Sequence, residues 1–225
     1  MFISRSMTRK VITIDENTNI LDAKKKMAEH RIRHLPVVTK DNRLCGIVTD
    51  RDIRSAMPSS VLDDPDRAMD QSRLARIKVT EIMTKNPVTL SPRDTLQDAL
   101  LMIQEKKVGA FTVVDEQGIL KGILSTRDLM RAFINVLGIG EPGTLLCILV
   151  EEKIGQMKKI VDAVTEENIS FGSILVARYW EKGKRAVFPY LLTLNVTPVK
   201  KKLEKMGFTL LDPMEWYLGQ LPKND

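Results

Sequence analysis

An internal repeat is the feature of this sequence that most restricts its fold. Residues 7–53 align with residues 83–129 without a gap at an offset of 76 residues, and thirteen of the forty-seven aligned positions are identical. A repeat of this kind indicates two copies of one structural unit that stack on each other to complete a common core. The first part of the chain is therefore predicted to be a pair of related units.

Each repeat predicts the element order β-α-β-β-α. A short strand (residues 11–14 and 88–90) precedes a segment whose apolar residues recur at helical spacing, with Thr18 and Asp94 as the predicted N-caps. Two runs rich in β-branched residues follow, separated by a polar turn. Gly46 and Gly122 stand near the end of the last strand, where the lack of a side chain permits close approach by a flat ligand or by another backbone.

The final helix of each repeat is predicted to begin at a turn that can bind a nucleotide. Thr49 and Ser125 stand at the helix N-terminus, beside free amide groups that suit a phosphate. Asp52 lies three residues later and could accept hydrogen bonds from a ribose diol. The same Thr-x-x-Asp spacing also fits a helix capping box, and the residues alone leave both interpretations open.

The equivalent residues of repeat two allow the same two interpretations, with Asp128 in the place of Asp52. Arg51 and Arg127 are predicted in the first turn of their helices, where the helix dipole disfavours a cation. A bound phosphate would offset that cost.

The segments RHLPVV (33–38), GIVTDRD (46–52) and GILSTRD (122–128), with Met-Thr near the start of each repeat, resemble the CBS domain. The resemblance implies a tandem pair that binds AMP, ADP or ATP, or else S-adenosylmethionine or NAD, between its repeats and regulates another protein. It implies one site at Ile12, Thr13, Ile32, His34 and Pro36 and another at Val88, Val108, Gly109 and Ala110, together with the nucleotide-binding turns at Thr49, Arg51, Asp52, Ser125, Arg127 and Asp128. Repeat two lacks the proline and the basic pair of repeat one, so one working site per chain is expected.

The glycine- and proline-rich residues 138–143 predict a linker between domains. The tandem pair is placed at 1–137, with repeat one at 1–57, a connecting segment at 58–78 and repeat two at 79–137. Residues 144–225 predict the order β-α-β-β-α-β, with strands at 144–150, 169–180, 186–196 and 208–211 and helices at 156–166 and 198–206. This order is ferredoxin-like, so the whole chain is expected to be α/β (α+β).

The segment EKIGQM (152–157) and the Asn168-Ile169 pair make residues 144–225 resemble an ACT domain. That resemblance implies an amino-acid effector near Gly155; a dimerising module without a ligand is the alternative. A CBS pair followed by an ACT-like module resembles the acetoin-utilisation accessory protein family of bacteria.

Composition narrows the classes of function. The net charge is +6, but the lysines are spread over several predicted helices and not interleaved with aromatic residues, which argues against nucleic-acid binding. Two cysteines in strand-like runs, and no apolar run long enough to cross a bilayer, favour the cytoplasm and argue against a membrane. His30 and His34 stand four residues apart, but the predicted helix ends between them, so no metal site is expected.

Neither a nucleophile–base pair nor a phosphate-binding or dinucleotide glycine loop is visible, so no enzymatic activity and no catalytic cofactor are expected. The resemblance to CBS and ACT domains implies a homodimeric regulator that senses an adenine nucleotide through its CBS pair and signals to its ACT-like domain or to a regulated partner. A structural module without working nucleotide sites, and an amino-acid sensor, are the alternatives.

Overall fold

The computed structural model describes residues 1–57 and 72–212 of the chain, apart from the side chains of Tyr179 and Glu181. The predicted connecting segment therefore lies largely outside the described residues, as does the end of the predicted C-terminal domain. The chain divides into two units, Met1–Met130 and Arg131–Asp225, and the division falls seven residues before the predicted linker.

Repeat one consists of two helices beside an antiparallel strand pair. Its elements are α1 (Ile20–His30), β1 (His34–Val38), β2 (Leu44–Thr49) and α2 (Asp50–Ala56). The predicted first strand is reduced to a bridge in which Ile14 pairs parallel with Val37. Val79, from the start of repeat two, joins the buried cluster of this repeat, whose other members are Ile14, Ala23, Met27, Leu35, Val37, Val48 and Ile53.

Repeat two has the same order. Its elements are β3 (Thr84–Lys85), β4 (Thr89–Leu90), α3 (Leu96–Lys106), β5 (Ala110–Val114), β6 (Leu120–Ser125) and α4 (Thr126–Leu137). Strand β5 pairs parallel with β4 and antiparallel with β6. The two repeats thus confirm the predicted tandem architecture.

Both first helices begin one residue later than predicted. Asn19, and not Thr18, caps α1 by accepting a hydrogen bond from the amide of Asp22 at 2.9 Å. Thr95 caps α3 in the same way through Asp98, because the carboxylate of Asp94 accepts instead from the amide of Ser91. Each true cap stands three residues before the amide that it accepts from, which is the spacing that a capping side chain requires.

The segment at the start of each repeat crosses to the other repeat. Thr84 pairs with Ile47 of β2, and Thr8 pairs with Ile123 of β6. A Cβ on Gly46 would lie 2.6 Å from the Met83 sulfur and 2.9 Å from the Thr84 carbonyl oxygen.

The contact at Gly122 mirrors this one. A Cβ there would lie 2.5 Å from the Met7 sulfur and 3.1 Å from the Thr8 carbonyl oxygen. At both glycines the close neighbours are therefore a methionine side chain and a backbone carbonyl of the opposite repeat.

The second unit has one antiparallel sheet. Its elements are β7 (Thr144–Leu145), β8 (Ile148–Glu151), α5 (Gln156–Thr165), β9 (Phe171–Glu181), β10 (Lys184–Leu191), α6 (Thr197–Lys205) and β11 (Thr209–Leu210). The pairing gives the strand order β11-β8-β10-β9, and β7 pairs with the end of β10. The stretch predicted as one strand over 144–150 is two strands, because Leu146 and Cys147 interrupt it.

The core of this unit lies between its sheet and its two helices. Ile148, Val150 and Val187 of the strands pack with Ile160 of α5 and Leu203 of α6 in one buried cluster. Burying side chains of this size contributes roughly 1.5–3 kcal/mol each to the free energy of unfolding.

The residues predicted as a linker contact the sheet of the second unit. The Tyr190 hydroxyl donates to the carbonyl oxygen of Glu141 at 2.6 Å. Gly138 has φ +69, and a Cβ there would lie 2.8 Å from the Cα of Gly172. Glycines at both positions therefore let the chain pass directly over β9.

None of the helices within the described residues has the length and apolar character needed to cross a membrane.

Candidate functional site

A cavity of about 770 Å³ lies between the two repeats of the first unit. Repeat one contributes the ends of β1 and β2 and the start of α2, and repeat two contributes the segments before β4 and before β5. Its lining residues are Arg33, His34, Ile47, Thr49, Asp50, Arg51, Asp52, Arg54, Thr84, Asn86, Pro87, Val88, Ile103, Lys107, Val108, Gly109 and Ala110. A cavity of this size that mixes apolar walls with a few polar groups is typical of a small-molecule site.

The polar corner of the cavity is the turn from β2 into α2. Thr49 donates to Asp52 Oδ2 through its amide at 2.8 Å and through its hydroxyl at 2.7 Å, and the amide of Asp52 donates back to Thr49 Oγ1 at 3.3 Å. This is the capping box that the sequence left as one of two interpretations. Only Oδ2 takes part, and no described residue donates to Oδ1, so the second oxygen is available to a ligand.

His34 of repeat one and Gly109 of repeat two lie close together in the lining of the cavity. A Cβ on Gly109 would lie 3.3 Å from His34 Nε2. That separation is tighter than ordinary van der Waals contact, so a larger residue at 109 would displace the imidazole ring. Glycine at this position therefore leaves room for the histidine.

The environment of His34 disfavours its charged form. Burial, with a further contribution from the neighbouring Arg33 guanidinium, lowers the pKa of His34, and the Asp52 carboxylate opposes this only in part. The imidazole is therefore held neutral near pH 7, when one ring nitrogen donates a hydrogen bond and the other accepts one.

The structure brings together eight of the residues predicted from sequence and separates others. His34, Thr49, Arg51, Asp52, Val88, Val108, Gly109 and Ala110 line the one cavity. The sequence had divided these residues between two sites. They meet because the start of each repeat crosses to the other, so the β2–α2 turn of repeat one faces the first strand of repeat two.

The remaining residues predicted for repeat one do not line this cavity. Ile12 and Ile32 pack against the core of their own repeat, and Pro36 is buried within β1. Thr13 lines a separate cavity of about 470 Å³ beside α1.

The corresponding turn of repeat two lies elsewhere as well. The Ser125 amide and hydroxyl donate to Asp128 Oδ2 at 2.9 and 2.6 Å, which reproduces the arrangement at Thr49. Arg127 is exposed in the first turn of α4 and does not line the cavity between the repeats.

Sequence reasoning missed about half of the lining. The missed residues are Arg33, Ile47, Asp50, Arg54, Thr84, Asn86, Pro87, Ile103 and Lys107. Several of them adjoin residues that were predicted, but the crossing that brings Thr84 to Pro87 beside α2 depends on contacts between distant parts of the chain.

A second cavity, of about 290 Å³, lies in the second unit around Gly155. It is lined by Val150, Glu151, Glu152, Lys153, Ile154, Gly155, Gln156, Met157, Val176, Arg185 and Val187. Gly155 has φ +93, a conformation that suits glycine, and it is the N-cap residue of α5. Arg185 Nε donates to Glu152 Oε1 at 3.0 Å at the edge of this cavity.

Within the part of the chain that the structure describes, no three His, Cys, Asp or Glu side chains are grouped closely enough to hold a metal ion.

Comparison with known families gives one match, the CBS domain, at residues 3–59 and 79–135. A CBS domain-containing protein from Dictyostelium discoideum is 34% identical over 138 residues, which are 61% of this chain and 94% of that protein. An uncharacterised 17.7 kDa protein from Acidianus ambivalens is 31% identical over 142 residues, with 62% and 79% covered.

Some relatives are much longer enzymes. The homoserine O-acetyltransferase of Methanococcus vannielii is 28% identical over 127 residues, which are 56% of this chain but only 24% of the enzyme. The similarity therefore covers a small part of that protein.

Two solved structures are similar over the same part of the chain. CBSX2, a CBS-pair protein from Arabidopsis thaliana that was crystallised with AMP, is 27% identical with a TM-score of 0.50, covering 59% of this chain and 96% of CBSX2. A Vibrio cholerae protein named for acetoin utilization is 27% identical with a TM-score of 0.52, covering 63% and 98%.

Proposed function

Because this chain belongs to the CBS domain family, we propose that it is a regulatory protein that binds an adenine nucleotide or a related adenosyl ligand between its two repeats. The observation that carries the proposal is the cavity of about 770 Å³ in which the Thr49–Asp52 turn of one repeat faces Val88 and Gly109 of the other. AMP in the similar CBSX2 structure supports this choice of ligand.

Each part of the cavity suits one part of such a ligand. The apolar residues that line it, among them Ile47, Val88 and Val108, provide the surroundings that a flat base prefers. The Oδ1 atom of Asp52 can accept a hydrogen bond from a ribose hydroxyl, and the amides at the start of α2 suit a phosphate. The proposal is for a sensor rather than an enzyme. The enzyme names of the longer relatives do not assign an activity to this chain, because it spans only about a quarter of the acetyltransferase.

The second unit is proposed as an ACT-like domain that takes up the signal. Its order β-α-β-β-α-β and its strand order β11-β8-β10-β9 are those of a ferredoxin-like module, which supports that assignment. The same resemblance implies a homodimer formed through the CBS pair and this domain, with the regulated protein as a further partner.

A second candidate function is an amino-acid sensor. The cavity around Gly155 has the Glu152 carboxylate, the Arg185 guanidinium and the Lys153 ammonium at its edge. A zwitterionic ligand needs both signs of charge, which these groups provide.

The test is calorimetric titration of the full chain with AMP. Asp52→Ala is expected to weaken binding at least tenfold, because the ribose loses a charged hydrogen-bond acceptor worth about 1.5–3 kcal/mol. Asp98→Ala is the matched control: it removes a capping box of the same geometry, with bonds of 2.8, 2.7 and 3.2 Å, at the start of α3 and away from the cavity.

Wild-type affinity in Asp52→Ala would reject the role of this carboxylate. If the wild-type chain bound no adenosyl compound, the proposed function would fail and the interaction module would replace it. Binding of an amino acid instead would move the sensing to the cavity at Gly155.

A further inference from the structure

The cavity between the repeats is lined by an excess of positive charge. Four of its side chains are cationic and two are carboxylates, and the cations are Arg33, Arg51, Arg54 and Lys107. A ligand that enters this cavity therefore meets a field that favours anions.

The two carboxylates offset only part of this positive charge. Asp50 is 2.9 Å from the Arg54 guanidinium, so these two charges form a pair on the same helix. Asp52 keeps its negative charge, and its Oδ2 atom accepts both hydrogen bonds of the Thr49 cap.

Three of the cations have no partner among the described residues. Within residues 1–57 and 72–212, no ion pair or side-chain hydrogen bond is recorded for Arg33, Arg51 or Lys107. The charge of Arg33 helps to lower the pKa of the neighbouring His34. Arg51 lies in the first turn of α2, where the dipole of the helix adds to the repulsion.

These cations come from separate elements around the cavity. Arg33 precedes β1, Arg51 lies in α2 and Lys107 follows α3. A single phosphate is small and can approach only some of them closely, whereas a chain of two or three phosphates can extend across more of the cavity and relieve more of the repulsion.

We infer that the cavity selects its adenosyl ligand by charge, so that ADP and ATP bind more tightly than AMP, and AMP more tightly than S-adenosylmethionine. The inference rests on the proposed function and adds the class of ligand to it. S-adenosylmethionine carries a sulfonium and an ammonium against one carboxylate, so its net positive charge is repelled by the same groups that attract a polyphosphate.

The experiment is a set of calorimetric titrations of the full chain with adenosine, AMP, ADP, ATP and S-adenosylmethionine. EDTA is present so that no divalent cation masks the phosphates, and each titration is run at about 50 and about 200 mM salt because screening weakens exposed charge interactions. The dissociation constant is expected to fall at least about tenfold from AMP to ATP at the lower salt, since charged hydrogen bonds contribute at least this much.

Two variants separate the unpaired cations from the net charge of the protein. The double variant Arg33→Gln/Lys107→Gln is expected to reduce the ratio of the ATP and AMP affinities to below about threefold. Lys10→Gln/Lys85→Gln is the matched control: it also removes two positive charges, but neither lysine lines the cavity, and the ratio is expected to stay at the wild-type value.

Equal affinity for AMP and ATP, or tighter binding of S-adenosylmethionine, would overturn the selection by charge while leaving an adenosyl site in place. A ratio that falls equally in Lys10→Gln/Lys85→Gln would assign the preference to overall charge and reject the role of Arg33 and Lys107. Failure of every adenosyl compound to bind would instead remove the proposed function, and the inference with it.

Discussion

The carboxylate of Asp52 is oriented by the fold itself. Two bonds from Thr49 hold Oδ2, so the position of Oδ1 follows from the capping box and needs no ligand to set it. A group that is already ordered loses little conformational entropy when it binds. The two interpretations that the sequence left open at Thr-x-x-Asp are thus compatible, because they use different oxygens.

Thr112 is a residue at which the protein can be stabilised. Its side chain is fully buried in β5, and its Oγ1 is the buried side-chain polar atom without a hydrogen-bond partner among the described residues. Thr112→Val removes the unpaired hydroxyl and keeps a similar shape, so the free energy of unfolding is expected to rise by about 1 kcal/mol in a urea titration.

Thr144→Val is the contrasting variant. The Thr144 hydroxyl donates to the carbonyl oxygen of Thr193 at 2.8 Å, and its loss is expected to lower the free energy of unfolding by about 1 kcal/mol. A loss of stability in Thr112→Val would mean that its hydroxyl has a partner in solution.

The lowered pKa of His34 is expected to make the free energy of unfolding depend on pH. Its pKa in the folded protein lies below its ordinary value of about 6.5, so the unfolded chain takes up the proton first as the pH falls. Stability is therefore lost as the pH falls through about 6.5 towards the folded pKa. His34→Gln is expected to lose less stability than wild type between about pH 7.5 and about pH 5 in thermal unfolding.

The control for this prediction is His30→Gln, which removes the other of the two histidines from the exposed end of α1. A change of the same size in both variants would mean that the effect is not specific to the position of His34. A His34→Gln profile that matched wild type would show that burial of the imidazole does not disfavour its charge.

Short elements carry the contact between the repeats. Strand β3 has two residues, and its counterpart at Thr8 is a single bridge, yet each places a methionine against a glycine of the opposite repeat. The longer strands of both repeats could be predicted from their β-branched runs. β3 could not, because nothing local in Thr84-Lys85 indicates a strand and its partner lies about forty residues away.

Gly46→Ala tests this crossing. The added methyl group would meet the Thr84 carbonyl oxygen at 2.9 Å, and forcing that contact is expected to lower the free energy of unfolding by about 1–3 kcal/mol. Because β2 and β3 come from different repeats, hydrogen exchange is expected to accelerate in both repeats and not in repeat one alone.

Gly140→Ala supplies the comparison, since a Cβ there meets no atom within 4 Å. Its free energy of unfolding is expected to stay within about 0.5 kcal/mol of wild type. Faster exchange confined to repeat one in Gly46→Ala would show that the repeats unfold independently.

At the scale of the whole molecule, the repeat offset predicted the tandem pair but not the composition of the cavity. An offset of 76 residues says which positions are equivalent, such as Asp52 and Asp128. The offset does not predict which residues lie close together in the structure, because that depends on how the two repeats pack against each other. His34 and Gly109 were therefore assigned to different sites although they line the same cavity.

In the second unit, the order of helices and strands follows from hydrophobic periodicity, with boundaries that differ by a few residues. The predicted strand at 186–196 is β10 over Lys184–Leu191, and the helix predicted from Pro198 begins at Thr197. The ACT-like assignment and the effector at Gly155 go beyond periodicity and stay predictions.

The reciprocal contacts of Met7 with Gly122 and of Met83 with Gly46 have a consequence for how such a chain can arise. A polypeptide with one repeat has one such methionine and one such glycine, but the two belong to opposite partners. Such a single-repeat polypeptide could place its methionine against a glycine only by exchanging its first residues with a second molecule. Gene duplication and fusion would then turn an exchange between two molecules into an internal one, and the connecting segment would need only to keep the two copies together.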